Sequence, residues 1–395
     1  MSDDWRISVS GPRLVLELQP RVLRWARLRA GLEVDEIARK VGVSVQRVIE
    51  WEESGKISFA QVGKLAHHTH TPLGYLYLSE PPQERLPIPD FRTAHGRPVR
   101  RPSPELLETV HAMQRRVAWM REELIDEGVD PLPFVGAWPV GSAPERVASE
   151  MRAILGLETG WAARQSSWAD ALRFLRERIE DAGVMVVFNG VVNNNTRRKL
   201  DPDEFRGFAI VDEYAPLVFV NGRDFVSAQI FTLAHELAHV FAGASGVSDV
   251  DLFEPSSDKT EQFCNAVAAE FLAPEDEFRS VWASASGDRF QLCARHFKVS
   301  VLVAARRALE IRLIEPETFR DVYRRYEQLQ GQLERRKSGG GHFWHTQNAR
   351  IGKRFGSAVA RAVREGRLLY REAYLLTGLS GETFNKFVER MGVHV

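Results

Sequence analysis

His235-Glu-Leu-Ala-His239 sets two imidazoles four residues apart, with a carboxylate directly after the first. On a helix, positions i and i+4 share one face. Two histidines so placed can hold one Zn²⁺, and the intervening Glu236 can act as general base on water at the metal. The flanking Phe231, Leu233, Ala234, Leu237, Ala238, Val240 and Phe241 predict an apolar helix from about Ser227 to Phe241.

A third ligand is expected from a neighbouring helix, predicted from Lys259 to Leu272 and stopped before Pro274. Spacing puts Glu261 and Asn265 on one face of it. Glu261 is the favoured ligand, and Asn265 the group that orients a neighbour. Glu270 and Asp258 are the runners-up, while Cys264 fits better as a small packing group. Three protein ligands leave one position for water, whose pKa zinc lowers toward ~7. Glu236 would take the water proton and pass it to a leaving amine, which is the chemistry of amide hydrolysis. The predicted strands near 208–220 offer edge pairing to an extended peptide. No oxyanion-stabilising residue stands out. His296 is a candidate, but its helix–turn setting favours a structural role. His342 and His345, beside a glycine run, are weak candidates for a site that already has three ligands.

The elements that must position this chemistry follow from the rest of the chain. Its 395 residues are 44% hydrophobic and 27% charged, which suits two to three globular domains and excludes bulk disorder. No apolar run approaches the roughly 20 residues of a membrane span. The first residues lack the layout of a secretory signal. Cys264 and Cys293 are the only cysteines, too few for a disulfide framework, so a cytoplasmic setting is expected. The zero net charge hides a split: +2 over residues 1–200, −12 over 201–280 and +10 over 281–395. Short helices separated by tight turns are predicted over 20–78, followed by a proline-rich stretch to about 104 that reads as a linker or extended wrap. A long helix over 105–128, two helices over 144–182, strands near 183–188, 208–211 and 217–220, and helices over 288–314 and 350–392 complete the reading. Tyr370–Ser380 followed by Thr383–Phe387 reads as helix, turn, helix.

Residues 183–315 resemble the ImmA/IrrE metallopeptidases. The resemblance is carried by Val220-Asn221, Phe231-Thr-Leu-Ala-His-Glu-Leu-Ala-His239, Glu261-x-x-Cys-Asn265-x-Val-Ala-Ala-Glu-Phe-Leu-Ala-Pro274 and the Phe297-Lys-Val-Ser300 turn. It implies a gluzincin-like site, with zinc on His235, His239 and Glu261 and catalysis by Glu236. Cys264 and Val267 depart from the usual Ala and Phe, and neither is a ligand.

Residues 20–78 resemble the XRE/Cro-type helix-turn-helix through Leu28-Arg-Ala-Gly-Leu32, Ile37-Ala38, Val41-Gly-Val-Ser44, Val48, Trp51-Glu52, Gly55 and Leu65-Ala66. The resemblance implies a recognition helix over about 44–53, opened by Ser44, with Gln46 and Arg47 on bases and Arg21, Arg24 and Arg27 on phosphates. Val34 stands where the family has a DNA-touching Gln, and residues 1–85 carry a net charge of only +1. A module that binds protein, or that needs a dimer for useful affinity, is the alternative.

The expected architecture is mainly α with a small β-sheet (α+β). It has a five-helix helix-turn-helix domain with its N-terminal arm (1–78), a linker and long helix (79–130), a zincin-like metallopeptidase domain (131–315) and a basic helical region (316–395). The expected function is a zinc endopeptidase fused to a transcriptional regulator, cutting a repressor or antitoxin-like protein in a phage, mobile-element or toxin–antitoxin context. The rival is a non-enzymatic DNA-binding regulator or antitoxin with a structural or vestigial metal site.

Overall fold

The computed structural model describes residues 14–90, 101–248, 258–333 and 343–391. The described residues form two compact units, one running to Leu86 and including Arg101–Glu108, the other containing the rest.

The first unit comprises β1 (Val15–Glu17), α1 (Pro20–Arg29), α2 (Val34–Val41), α3 (Val45–Ser54), β2 (Lys56–Ser58), α4 (Phe59–His68) and a 3₁₀ helix over Leu73–Tyr77. The expected fifth helix is thus a 3₁₀ turn. The β1–β2 pair is an element that the helical patterning did not reveal. Gly42 ends α2 in the left-handed region at φ 79°, and Ser44 caps α3 by accepting from the Arg47 N–H at 3.2 Å. Gly55 is obligatory where the chain turns back: φ is 74°, and a Cβ there would lie 2.0 Å from the Leu18 carbonyl oxygen. Val22, Leu23, Ala26, Ile37, Val48, Trp51 and Ile57 fill the core.

Arg27 is not available to phosphate, contrary to the reading from sequence. It is buried, and its guanidinium clasps Glu52 through two bonds of 2.6 and 2.9 Å while donating a third, 3.0 Å, to the Leu32 carbonyl. Ser44, Gln46 and Arg24 are exposed, and Arg47 pairs with Glu50 at 2.8 Å on the surface. Removing Glu52 strands a buried guanidinium. Glu52→Ala should therefore destabilise this unit by about 3 kcal/mol, read as a lower denaturant midpoint for its unfolding. An unchanged midpoint would show that the pair is not structural.

The other described elements are α5 (Pro104–Asp126), α6 (Pro144–Ile154), α7 (Trp168–Asp181), β3 (Met185–Asn189), β4 (Val191–Val192), β5 (Asn195–Lys199), β6 (Gly207–Ile210), β7 (Leu217–Asn221), α8 (Val226–Ala242), β8 (Gly246–Ser248) and α9 (Lys259–Leu272). They continue with α10 (Glu275–Ser284), α11 (Arg289–Phe297), α12 (Val301–Glu310), α13 (Pro316–Leu333), α14 (Phe343–Ile351), α15 (Lys353–Arg364), α16 (Tyr370–Thr377) and α17 (Gly381–Arg390). A four-stranded sheet runs β3-β7-β6-β8, with β3 parallel to β7 and the other pairs antiparallel. Helix α8 is apolar on all sides and buried from Gln229 to Phe241, as a helix enclosed by its neighbours must be. Its C-terminal carbonyls are satisfied from outside: the N–H groups of Gly136 and Trp138 donate to Val240 and Phe241 at 3.0 and 3.1 Å.

The sheet topology corrects one expectation. β6 and β7 are each paired on both sides, so neither offers a free edge to a peptide. The outer strands are β3 and β8, and β8 is itself engaged: the Val247 N–H donates to the Pro89 carbonyl at 2.9 Å, and Asp90 bridges Val247 in parallel. Part of the extended proline-rich segment therefore lies along the sheet.

The basic C-terminal helices lean on acidic residues of α5. Arg367 pairs with Glu123 and Glu127, and Arg361 also reaches Glu127, at 3.5 Å. The buried Arg116 of α5 donates to the carbonyls of Leu376 and Arg350, both at 2.9 Å.

Candidate metal centre

Helices α8 and α9 bring the chemistry together. His235 and His239 share one face of α8, and Glu261 lies in the first turn of α9, where Asp258 caps the helix by accepting from the Thr260 and Glu261 N–H groups. The two imidazole Nε2 atoms are 3.1 Å apart. Glu261 Oε2 is 3.2 Å from His235 Nε2, and its Oε1 is 3.0 Å from His239 Nε2. Among the described residues, these three form the one His/Cys/Asp/Glu group whose donor atoms converge in this way.

The set fits zinc. Bond lengths near 2.05 Å in a tetrahedral site imply ligand–ligand separations of about 3.3 Å, close to the three distances observed. The protonation states also suit it. The Ala244 carbonyl lies 3.0 Å from His239 Nδ1, so the proton sits on Nδ1 and Nε2 presents its lone pair. Burial lowers the His239 pKa, which keeps the ring neutral. Burial alone would raise the Glu261 pKa, yet His235, which faces Oε2, outweighs it and holds the carboxyl well below the usual range, so it is ionised.

Glu236 is fully buried on the same helix, and no close, well-aligned hydrogen bond holds its carboxylate, which only the Ser248 hydroxyl approaches. Burial, reinforced by the charge on Glu261, pushes its pKa well above the ordinary value. A carboxylate with raised proton affinity and unused lone pairs is equipped to accept a proton.

Two residues that sequence reasoning missed complete the site. Ser248 of β8 donates to Glu261 Oε1 at 3.3 Å, and its hydroxyl lies 3.4 Å from His239 Nε2. Gly207 of β6 presses its backbone against α8: a Cβ there would lie 2.7 Å from Glu236 Oε1 and 2.7 Å from Thr232 Cγ2. Neither carried a signal in the sequence, because each acts through strand pairing. Gly207→Val should push Glu236 off its position and cut peptide cleavage by about 10²-fold without loss of bound metal. Full activity in that variant would show that the contact does not place Glu236.

The runner-up residues lie elsewhere. Glu270 belongs to a buried cluster in which Arg307 grips its carboxylate and also donates to the Ala273 carbonyl at 2.9 Å. Asp258 is the cap just described. Cys264 is buried, and burial keeps its thiol protonated well above the usual pKa, which suits packing and not ligation. Asn265 follows Glu261 by one turn, with its Oδ1 buried and unpartnered. The polar contacts to the ligand set come instead from Ser248 and the Ala244 carbonyl. His296 pairs with Glu277 at 2.8 Å, a structural contact. His342 and the His345 side chain lie outside the described residues.

No helix among the described residues is long and apolar enough to cross a membrane. Comparison with known proteins gives three domain matches. Residues 179–309 match the IrrE N-terminal-like domain, which is a peptidase family. Residues 23–76 match a helix-turn-helix family, and residues 351–390 match a domain of unknown function. A search of curated proteins gives no match. The first match contains β3 to β8 and the whole His235–His239–Glu261 set, and the second runs from within α1 through α4. The chain is therefore a fusion of an XRE-type helix-turn-helix domain with an IrrE/ImmA-like metallopeptidase domain.

Proposed function

We propose that the chain is a zinc-dependent endopeptidase that cleaves a repressor or antitoxin-like regulator, with its helix-turn-helix domain directing it to DNA. The observation that carries this reading is the convergence of His235, His239 and Glu261 within 3.2 Å beside the buried Glu236 carboxyl. A structural site needs the three ligands but has no use for an adjacent base.

Bound there, zinc would supply Lewis-acid polarisation of a peptide carbonyl and acidify water. The chain's own residues do the rest. Glu236 takes a proton from the attacking water and delivers it to the departing amine. Ser248 and the Ala244 carbonyl hold Glu261 and His239 in the orientation the metal requires. Gly207 leaves the space that Glu236 occupies.

One observation favours a regulated site. The two histidines, Glu236 and Glu261 are all buried, and the outer strand beside them already holds Pro89 and Asp90. A peptide substrate that joined the sheet at β8 would have to displace that segment. We place the protein in the cytoplasm, where the two buried, unbridged cysteines stay reduced. Dimerisation would pair two recognition helices on successive half-sites.

The experiment is substrate trapping. The Glu236→Gln chain, immobilised with zinc, should retain a regulator protein that the wild-type chain cleaves. Retention of the same protein uncut by both forms would favour the non-enzymatic reading.

A further inference from the structure

The C-terminal helices repeat the spacing of the N-terminal helix-turn-helix. α2 and α3 have 8 and 10 residues, and so do α16 and α17. Each pair is joined by a Gly-x-Ser turn, Gly42-Val-Ser44 and Gly378-Leu-Ser380, whose glycine is left-handed at φ 79° and 70°. At one constant offset several buried positions also coincide, Ala26 with Ala362, Ile37 with Ala373, Val48 with Phe384 and Trp51 with Phe387, whereas buried Trp25 and Ala38 fall on exposed Arg361 and half-buried Tyr374. α15 stands where α1 stands. The lengths of the second and third helices, the turn between them and these buried positions follow the helix-turn-helix pattern, with α15 two residues longer than α1.

The charges differ in the direction that matters for a polyanion. Residues 33–54 carry three basic and six acidic side chains, whereas residues 369–390 carry three of each. Asp35 and Glu50 correspond to Arg371 and Lys386, both exposed. Lys386 pairs with Glu382 at 2.6 Å, but an exposed i,i+4 pair is worth so little that the ammonium can turn to a phosphate. A basic ribbon adjoins the turn. The β4–β5 hairpin carries exposed Arg197 and Lys199, and its Asn194 donates to the Gly378 carbonyl at 2.8 Å while accepting from Arg350 at 3.1 Å.

We propose that α15–α17, together with the β4–β5 hairpin, form a second helix-turn-helix that binds duplex DNA. α17 faces the major groove with Asn385 and Lys386, and Arg197 and Lys199 of the hairpin contact phosphates. This site is independent of the metal centre and of the domain at residues 23–76.

The test uses the full chain and a fluorescently labelled mixed-sequence duplex of about 20 base pairs, long enough for two half-sites, titrated across a salt series. The starting protein carries Arg47→Ala, which weakens the N-terminal reader. Adding Arg197→Ala and Lys199→Ala should weaken binding at least tenfold and reduce the salt slope by about one per lost phosphate contact. Lys386→Glu should weaken it further, and zinc content and melting temperature should stay unchanged in each variant. Unaltered affinity and slope in these variants would overturn the proposal, as would absence of duplex binding by the Arg47→Ala protein. In either case the exposed Leu369 and Leu375 at α16 would point to a protein partner instead.

Discussion

Glu236→Gln should lower peptide cleavage by about 10³-fold, within the range that a positioned acid–base group supplies, while zinc remains at one per chain. The amide keeps the shape and burial of the carboxylate but cannot accept a proton. Gln should also fit without rearrangement, because no close hydrogen bond holds the native carboxylate and the Gln amide oxygen can still face the Ser248 hydroxyl. The variant should even gain stability in the metal-free protein, since it removes a buried carboxylate whose ionisation burial and Glu261 both oppose. Cleavage assays run beside metal analysis check this directly. Activity within threefold of wild type would remove Glu236 from the mechanism.

Glu261→Ala should abolish stoichiometric zinc. The two imidazoles that remain are a poor site for a dication, whereas the ionised carboxylate of Glu261 bridges toward both Nε2 atoms. Zinc binds the folded chain preferentially, so a metal concentration a hundredfold above its dissociation constant should stabilise the wild-type peptidase unit by about 2.7 kcal/mol. The variant should gain nothing. Calorimetry of both proteins, with and without zinc, separates the outcomes. Equal zinc-dependent stabilisation would move the third ligand to another residue.

The parts of this site that were legible in the sequence are those written in local spacing. Two histidines one turn apart in an apolar run specify both the helix and the shared face, and Glu261 stands in the first turn of the next such helix. Ser248 and Gly207 were not legible for a physical reason. β8 has three residues, too few for a period to show, and its place beside the ligands comes from pairing with β6. Gly207 looks like any turn glycine until β6 is laid against α8. The same limit explains Arg27. Its spacing on α1 suits a phosphate contact, but Glu52 arrives from α3 and takes it. The edge-pairing expectation failed similarly, since strand order within a sheet is a long-range property and β6 and β7 lie inside it.

The charge split resolves into specific partners. In the −12 stretch, Glu236 and Glu261 lie at the candidate metal centre, whereas Glu270 is held by Arg307 and Glu277 pairs with His296. In the +10 stretch, Arg361 and Arg367 are engaged with α5, which leaves exposed cations such as Arg371 and Lys386 for the second helix-turn-helix.

Everything proposed for the peptidase site depends on zinc being held by His235, His239 and Glu261. X-ray absorption at the zinc edge of the purified full chain tests this most directly. One zinc per chain is expected, with two imidazole nitrogens and only oxygen besides, all at about 2.0–2.2 Å. A sulfur neighbour at about 2.3 Å, which would place Cys264 or Cys293 on the metal, or a protein that takes up no zinc, would contradict it.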